Sequence, residues 1–115
     1  MSKNYQIEDE AALYYYNKAI DLGLVFETVF YYRGLALFNT QKYNEAIKDF
    51  NKAIEIAPSY IEAHLDKAVA YEELNMYDSA MAIYDVVLEI DPKSSRAYRN
   101  RAMTKKDLGD EKGAL

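Results

Sequence analysis

A single imidazole limits the acid–base and metal chemistry open to this chain, because His64 is the only histidine among 115 residues. No cysteine is present, which excludes a disulfide framework and any thiolate metal site. Glu72 and Glu73 are the most suggestive carboxylates, but neighbours on a helix point about 100° apart. They are read as a solvated face and not as an acid/base pair. Gly23, Gly34, Gly109 and Gly113 are too scattered for a phosphate-cradling loop. No serine or threonine has a histidine and an acid placed to form a nucleophile triad. Twelve tyrosines, including the run Tyr14-Tyr15-Tyr16, supply aromatic surface and no obvious reaction. The expectation is a chain without catalytic residues, cofactor or metal.

The order in the sequence lies in a period of 34 residues. Gly34, Ala68 and Ala102 form one column, and Ala12, Ala46, Ala80 and Ala114 a second. Tyr16, Phe50 and Tyr84 form a third, Ala19, Ala53 and Val87 a fourth, Pro58 and Pro92 a fifth. A fixed period of this length marks stacked units, each burying its apolar face against its neighbours. Each whole unit reads as two helices, with apolar residues three and four apart. Helices are expected at about 8–22, 27–40, 43–56, 61–74, 77–90 and 95–108, with Thr28 in the cap region of the second. Pro58 and Pro92 end their helices, because the residue before a proline is pushed out of the α region. Gln41, Asn75 and Gly109 fall at equivalent places between paired helices, where the chain must turn. The units are a half repeat holding a second helix at 8–22, whole repeats at 27–60 and 61–94, and a first helix within 95–115.

Charge divides the chain as sharply as the period does. Residues 1–92 carry 7 basic and 16 acidic side chains, whereas residues 93–115 carry 7 basic and 3 acidic ones. The result is a dipolar molecule, acidic over most of its length and basic at the far end. No uniformly basic face suits a nucleic acid, and no apolar run approaches membrane-spanning length. The opening residues Met1-Ser2-Lys3-Asn4-Tyr5-Gln6 have no apolar signal segment. A cytoplasmic chain that meets neither nucleic acid nor membrane is expected.

These columns resemble the tetratricopeptide repeat. Its pattern of a large residue, a small one four positions on, Ala-x-x-x-aromatic and a closing Pro is met by Phe30, Gly34, Ala46, Phe50 and Pro58. His64, Ala68, Ala80, Tyr84 and Pro92 meet it again, and Tyr98, Ala102 and Ala114 begin a third copy. His64 thus falls in a packing column and is expected to be structural. Where the pattern has Leu, this chain has Arg33, Lys67 and Arg101. Asp49 stands opposite Arg33 as an ion-pair partner, whereas Ile83 stands opposite Lys67.

The resemblance implies an all-α, right-handed α-solenoid of antiparallel helix pairs, with a concave groove lined by the first helix of each repeat. Carried over position by position, the groove has three bands. They are Tyr31, Tyr32, Leu35, Phe38 and Asn39; then Glu62, Leu65, Asp66, Val69, Glu72 and Glu73; then Arg96, Arg99, Asn100, Met103 and Lys106. Leu35, Val69 and Met103 would form an apolar stripe across all three, able to accept a peptide or helix. Some relatives grip a C-terminal carboxylate with Lys, Asn and Arg. The matching positions here are Tyr31, Leu35, Asp66, Arg96 and Asn100, of which only Arg96 fits.

The expected function is a protein–protein interaction scaffold with a peptide partner of mixed charge, positive near Glu62 and Asp66 and negative near Arg96 and Arg99. The alternative is a homo-oligomer joined head to tail. In it Tyr98, Ala102 and Leu108 of one copy cover Ala12, Tyr16, Ala19 and Ile20 of the next. A segment cut from a longer array would present the same half repeats.

Overall fold

The computed structural model describes the backbone of residues 2–113 and the side chains of residues 9–109. Among these residues the regular structure is all helical, with α1 Ser2–Asp21, α2 Glu27–Asn39, α3 Tyr43–Ile56, α4 Ile61–Glu73, α5 Tyr77–Ile90 and α6 Ser95–Gly113 joined by short turns. Each helix packs chiefly on the ones before and after it, and α2 also touches α4. The radius of gyration, 15.2 Å, exceeds the roughly 13 Å of a compact chain of this length. An array that grows in one direction has this elongated form.

The expected helix ends fall within a residue of those observed for α2 to α5, and the turns give the reason. After α2, Gln41 takes φ 66°, and after α4, Asn75 takes φ 60°. In the first turn Lys42 N–H donates to the Leu37 carbonyl and Gln41 N–H to that of Phe38, both at 2.9 Å. Met76 and Asn75 repeat the arrangement onto Tyr71 and Glu72. This left-handed cap satisfies the last carbonyls of a helix while reversing the chain. Ala57 and Asp91, each just before a proline, are extended (φ −131° and −136°), so α3 and α5 stop there.

Three expectations about the helices need correction. Gly109 does not turn the chain: α6 runs through it to Gly113, since a glycine inside a helix costs only about 1 kcal/mol and does not by itself force a break. Helix α1 begins at Ser2, six residues earlier than expected, because no proline or glycine interrupts the sequence before Gly23. Thr28 does not cap α2, whose cap residue is Phe26, without a side-chain hydrogen bond.

The core divides into two clusters that follow the period. One gathers Phe30, Tyr31, Ala46, Phe50 and Ala53 with Ala63 of the next helix. The other gathers Leu65, Ala68, Ala80, Tyr84 and Val87 with Ala97. Ala63 and Ala97, 34 residues apart, close their clusters from the following unit, so no repeat completes its own core. The column residues at the ends are less covered: Ala12, Tyr16 and Ala19 are half-buried or nearly so, and Ala102 is exposed.

Candidate functional site

The first helices α2, α4 and α6 carry the expected groove residues, and three side chains tie these helices together. Tyr31 on α2 donates its hydroxyl to Asp66 Oδ2 on α4 at 2.5 Å. Arg96 on α6 donates to Asp66 Oδ1 at 3.1 Å. Asp66 is therefore answered from both sides, and its side chain is only 16 % exposed. Burial, and then the hydrogen bond to Asp66, hold the Tyr31 phenol well above the ordinary tyrosine range.

A second junction lies one turn and a half further along α4. Glu72 accepts the hydroxyl of Tyr84, which is fully buried on α5, at 2.8 Å. It also accepts the hydroxyl of Thr104, fully buried on α6. Burial first, and Glu72 second, raise the Tyr84 phenol. The reading of Glu72 as a solvated residue is thus corrected: a carboxylate that satisfies two buried hydroxyls is a structural acceptor. Glu73, beside it, is exposed.

The expected groove residues divide by exposure. Tyr32, Asn39, Glu62, Glu73, Arg96, Arg99, Met103 and Lys106 are exposed, and Leu35, Phe38, Asp66, Val69, Glu72 and Asn100 are half-buried. Tyr31 and Leu65 are buried, with 8 % and 3 % of their surface exposed. Leu65 belongs to the core and cannot serve as an anchor for a partner, a second correction. Phe38 leans on Tyr43 edge to face at 5.2 Å and on the first core cluster. Of the apolar stripe, Leu35 and Val69 are partly covered and Met103 is 60 % exposed.

Residues outside the groove fill structural roles. His64 is buried, and its Nε2 donates to the Pro58 carbonyl at 2.8 Å. Arg33 grips Asp49 with Nε at 2.7 Å and Nη2 at 2.8 Å. Its guanidinium also lies 5.7 Å from the Phe30 ring centre. Lys67 enters no ion pair among the described residues, and burial lowers its pKa. Arg101 approaches Asp85 to 3.1 Å. A cavity of about 480 Å³ borders Leu13, Asn17, Arg33, Leu37, Lys48 and Asp49; none of the expected groove residues lines it. Among the described residues no group of three His, Asp or Glu side chains could hold a metal ion.

Two sequence models described as tetratricopeptide repeat match the chain, one over residues 37–104 and one over residues 9–61. No curated protein sequence matches it. Among solved structures it is similar to the second tetratricopeptide-repeat domain of human RPAP3 in complex with the HSP70 peptide SGPTIEEVD. That match has 25 % identity and TM-score 0.79, covering 90 % of this chain and 88 % of the other. The first such domain of Spaghetti (RPAP3), bound to the HSP90 peptide SRMEEVD, is 24 % identical with TM-score 0.82 and coverage of 94 % and 87 %. The Arabidopsis OM64 domain is 24 % identical with TM-score 0.76 and coverage of 91 % and 94 %. With the 34-residue columns, the left-handed turns and cores closed by the following unit, these matches place the chain in a family: it belongs to the tetratricopeptide repeat proteins.

Proposed function

We propose that this chain is a non-catalytic interaction module that binds a peptide or helix along the face made by α2, α4 and α6. The observation that carries this reading is Met103, 60 % exposed on α6, in register with the half-buried Leu35 on α2 and Val69 on α4, with Tyr32, Glu62, Arg99 and Lys106 exposed on the same three helices. Grouped apolar surface left in contact with solvent marks contact sites. A fold that serves as a protein–protein interaction module supports it, as do relatives whose structures contain bound peptides.

The groove is not a carboxylate clamp. Arg96, the one cation at a matching position, is engaged by Asp66, and Asp66 repels an incoming carboxylate. Peptides SGPTIEEVD and SRMEEVD therefore give no measurable heat when titrated into this protein.

Selection from a random peptide library against the purified chain tests the reading. Val69→Glu and Met103→Glu abolish capture of the selected peptides while the circular-dichroism spectrum is unchanged. Peptides captured equally well by both variants place the site elsewhere. Light scattering across protein and salt concentrations separates the self-assembly alternative, which requires association that weakens as salt rises.

A further inference from the structure

Tyr32, at the α2 end of the groove, is 47 % exposed. Its ring stacks on Tyr16 of α1 at 6.4 Å and 16°, and meets Tyr31 edge-on at 5.2 Å. Tyr31 in turn contacts the ring of Tyr60 at 5.0 Å. Four tyrosines from α1, α2 and the α3–α4 turn thus form one aromatic cluster, in which the buried Tyr31 links the exposed Tyr32 to the half-buried Tyr60. Asp66 accepts the Tyr31 hydroxyl, and the Tyr60 phenol, raised first by burial, is raised further by Tyr32, Glu62, Glu27 and Asp66.

The charges near this cluster are unequally answered. Asp66 is held by Tyr31 and Arg96. Glu27 and Glu62 enter no ion pair among the described residues. The carboxylates do not form a metal-holding group, so an inorganic cation is a poor match. A π face attracts a cation, and unanswered carboxylates beside it attract the same ligand. A planar, weakly hydrated guanidinium fits better than a compact ammonium, because it stacks on the ring while donating to carboxylates in its plane.

We propose that Tyr32, Tyr60, Glu27 and Glu62 form a subsite for an arginine side chain of the segment bound in the groove. The subsite rests on the groove reading and specifies its partner. Arg99 and Lys106 stand exposed on α6, so the same segment carries an acidic residue there. Packed helices lie about 8–10 Å apart, which puts the two ends about 20 Å from each other. An extended chain covers that distance in about six residues. The partner motif is therefore an arginine and an acidic residue about six positions apart, with an apolar residue between them over Val69.

Titration of the isotope-labelled protein with N-acetyl-arginine amide, followed by nuclear magnetic resonance, tests the subsite. Saturable shifts are expected at the rings of Tyr32 and Tyr60 and at the Glu62 amide, and N-acetyl-norleucine amide produces none. Tyr32→Ala and Glu62→Gln each weaken the arginine response at least threefold, with thermal melts confirming that both variants fold. Tyr98→Ala, at an exposed tyrosine on α6, leaves it unchanged. Shifts of equal size with norleucine amide, or shifts insensitive to both variants, overturn the proposal. A library-selected peptide lost in Val69→Glu but retained in Tyr32→Ala and Glu62→Gln leaves the groove standing and removes the subsite. An arginine response at Tyr32 without any Val69-dependent peptide does the reverse.

Discussion

Gly34 lies so close to the ring of Phe50 that a β-carbon there would stand 2.7 Å from Cε1 and 2.9 Å from Cδ1. Phe50 is fully buried and has nowhere to retreat. Alanine gains about 1 kcal/mol over glycine in helix propensity, whereas overpacking costs about 1–3 kcal/mol. Gly34→Ala therefore lowers stability by about 1 kcal/mol in urea unfolding. Gly109→Ala does the opposite, raising it by about 0.5–1 kcal/mol, because among the described residues no atom beyond its own helical turn lies within 4 Å of its added β-carbon.

The Arg33–Asp49 pair is a second dependence of the first whole repeat. Asp49 is 8 % exposed in its side chain and Arg33 24 %, so removing one partner strands the other in partly buried surroundings. Asp49→Ala costs about 2 kcal/mol. The double change of Arg33→Leu with Asp49→Ile stays within about 1 kcal/mol of the parent, because well-packed apolar pairs replace buried ion pairs without loss. Chemical denaturation of Asp49→Ala and of the double variant, each against the parent, reads both values.

Lys67 occupies the equivalent place in the next repeat without an acid, facing desolvation alone. Its ammonium is partly wetted, which limits the penalty. Lys67→Met raises stability by about 0.5–1 kcal/mol, read as a higher thermal midpoint. The sign with pH is also fixed. A lowered folded-state pKa makes stability rise as the folded protein loses this proton first, and that rise disappears in the variant.

Tyr31 and Tyr84 work in the opposite direction. Their folded-state pKa values are raised by burial and by hydrogen bonds to Asp66 and Glu72. The stability they contribute is complete below the ordinary tyrosine pKa of about 10 and is lost as pH climbs beyond it. Helix content and tyrosinate absorbance should change together in alkaline titration. Tyr84→Phe removes part of this sensitivity, at the expense of leaving Glu72 with Thr104 alone.

Much of this architecture was legible because the repeat converts sequence columns into positions in space. Gly34, Phe50, Ala68 and Tyr84 declare their packing by recurring, and Arg33 could be matched with Asp49 from the facing helix. Gln41 and Asn75 could be recognised as turn residues because they share a column. Glu72 could not be read this way. Its partners Tyr84 and Thr104 lie 12 and 32 residues on, and nothing local distinguishes its carboxylate from that of Glu73. Burial of Leu65 was equally hidden, since its position belongs to the groove in the general pattern and only packing with residues of α5 and α6 covers it. Tyr60 escaped notice because it sits in a turn, outside every helical column, and only the approach of Tyr31 gives it a role.

The way each helix rests on the next has a kinetic consequence. Nearly every tertiary contact joins segments adjacent along the chain, so forming one requires closing only a short loop. Topologies of this low contact order fold within microseconds to milliseconds. Their loss is equally local: a terminal helix can detach without opening the middle. Amide exchange should accordingly be slowest in α3 to α5, where both core clusters are closed from each side, and quicken toward α1 and α6.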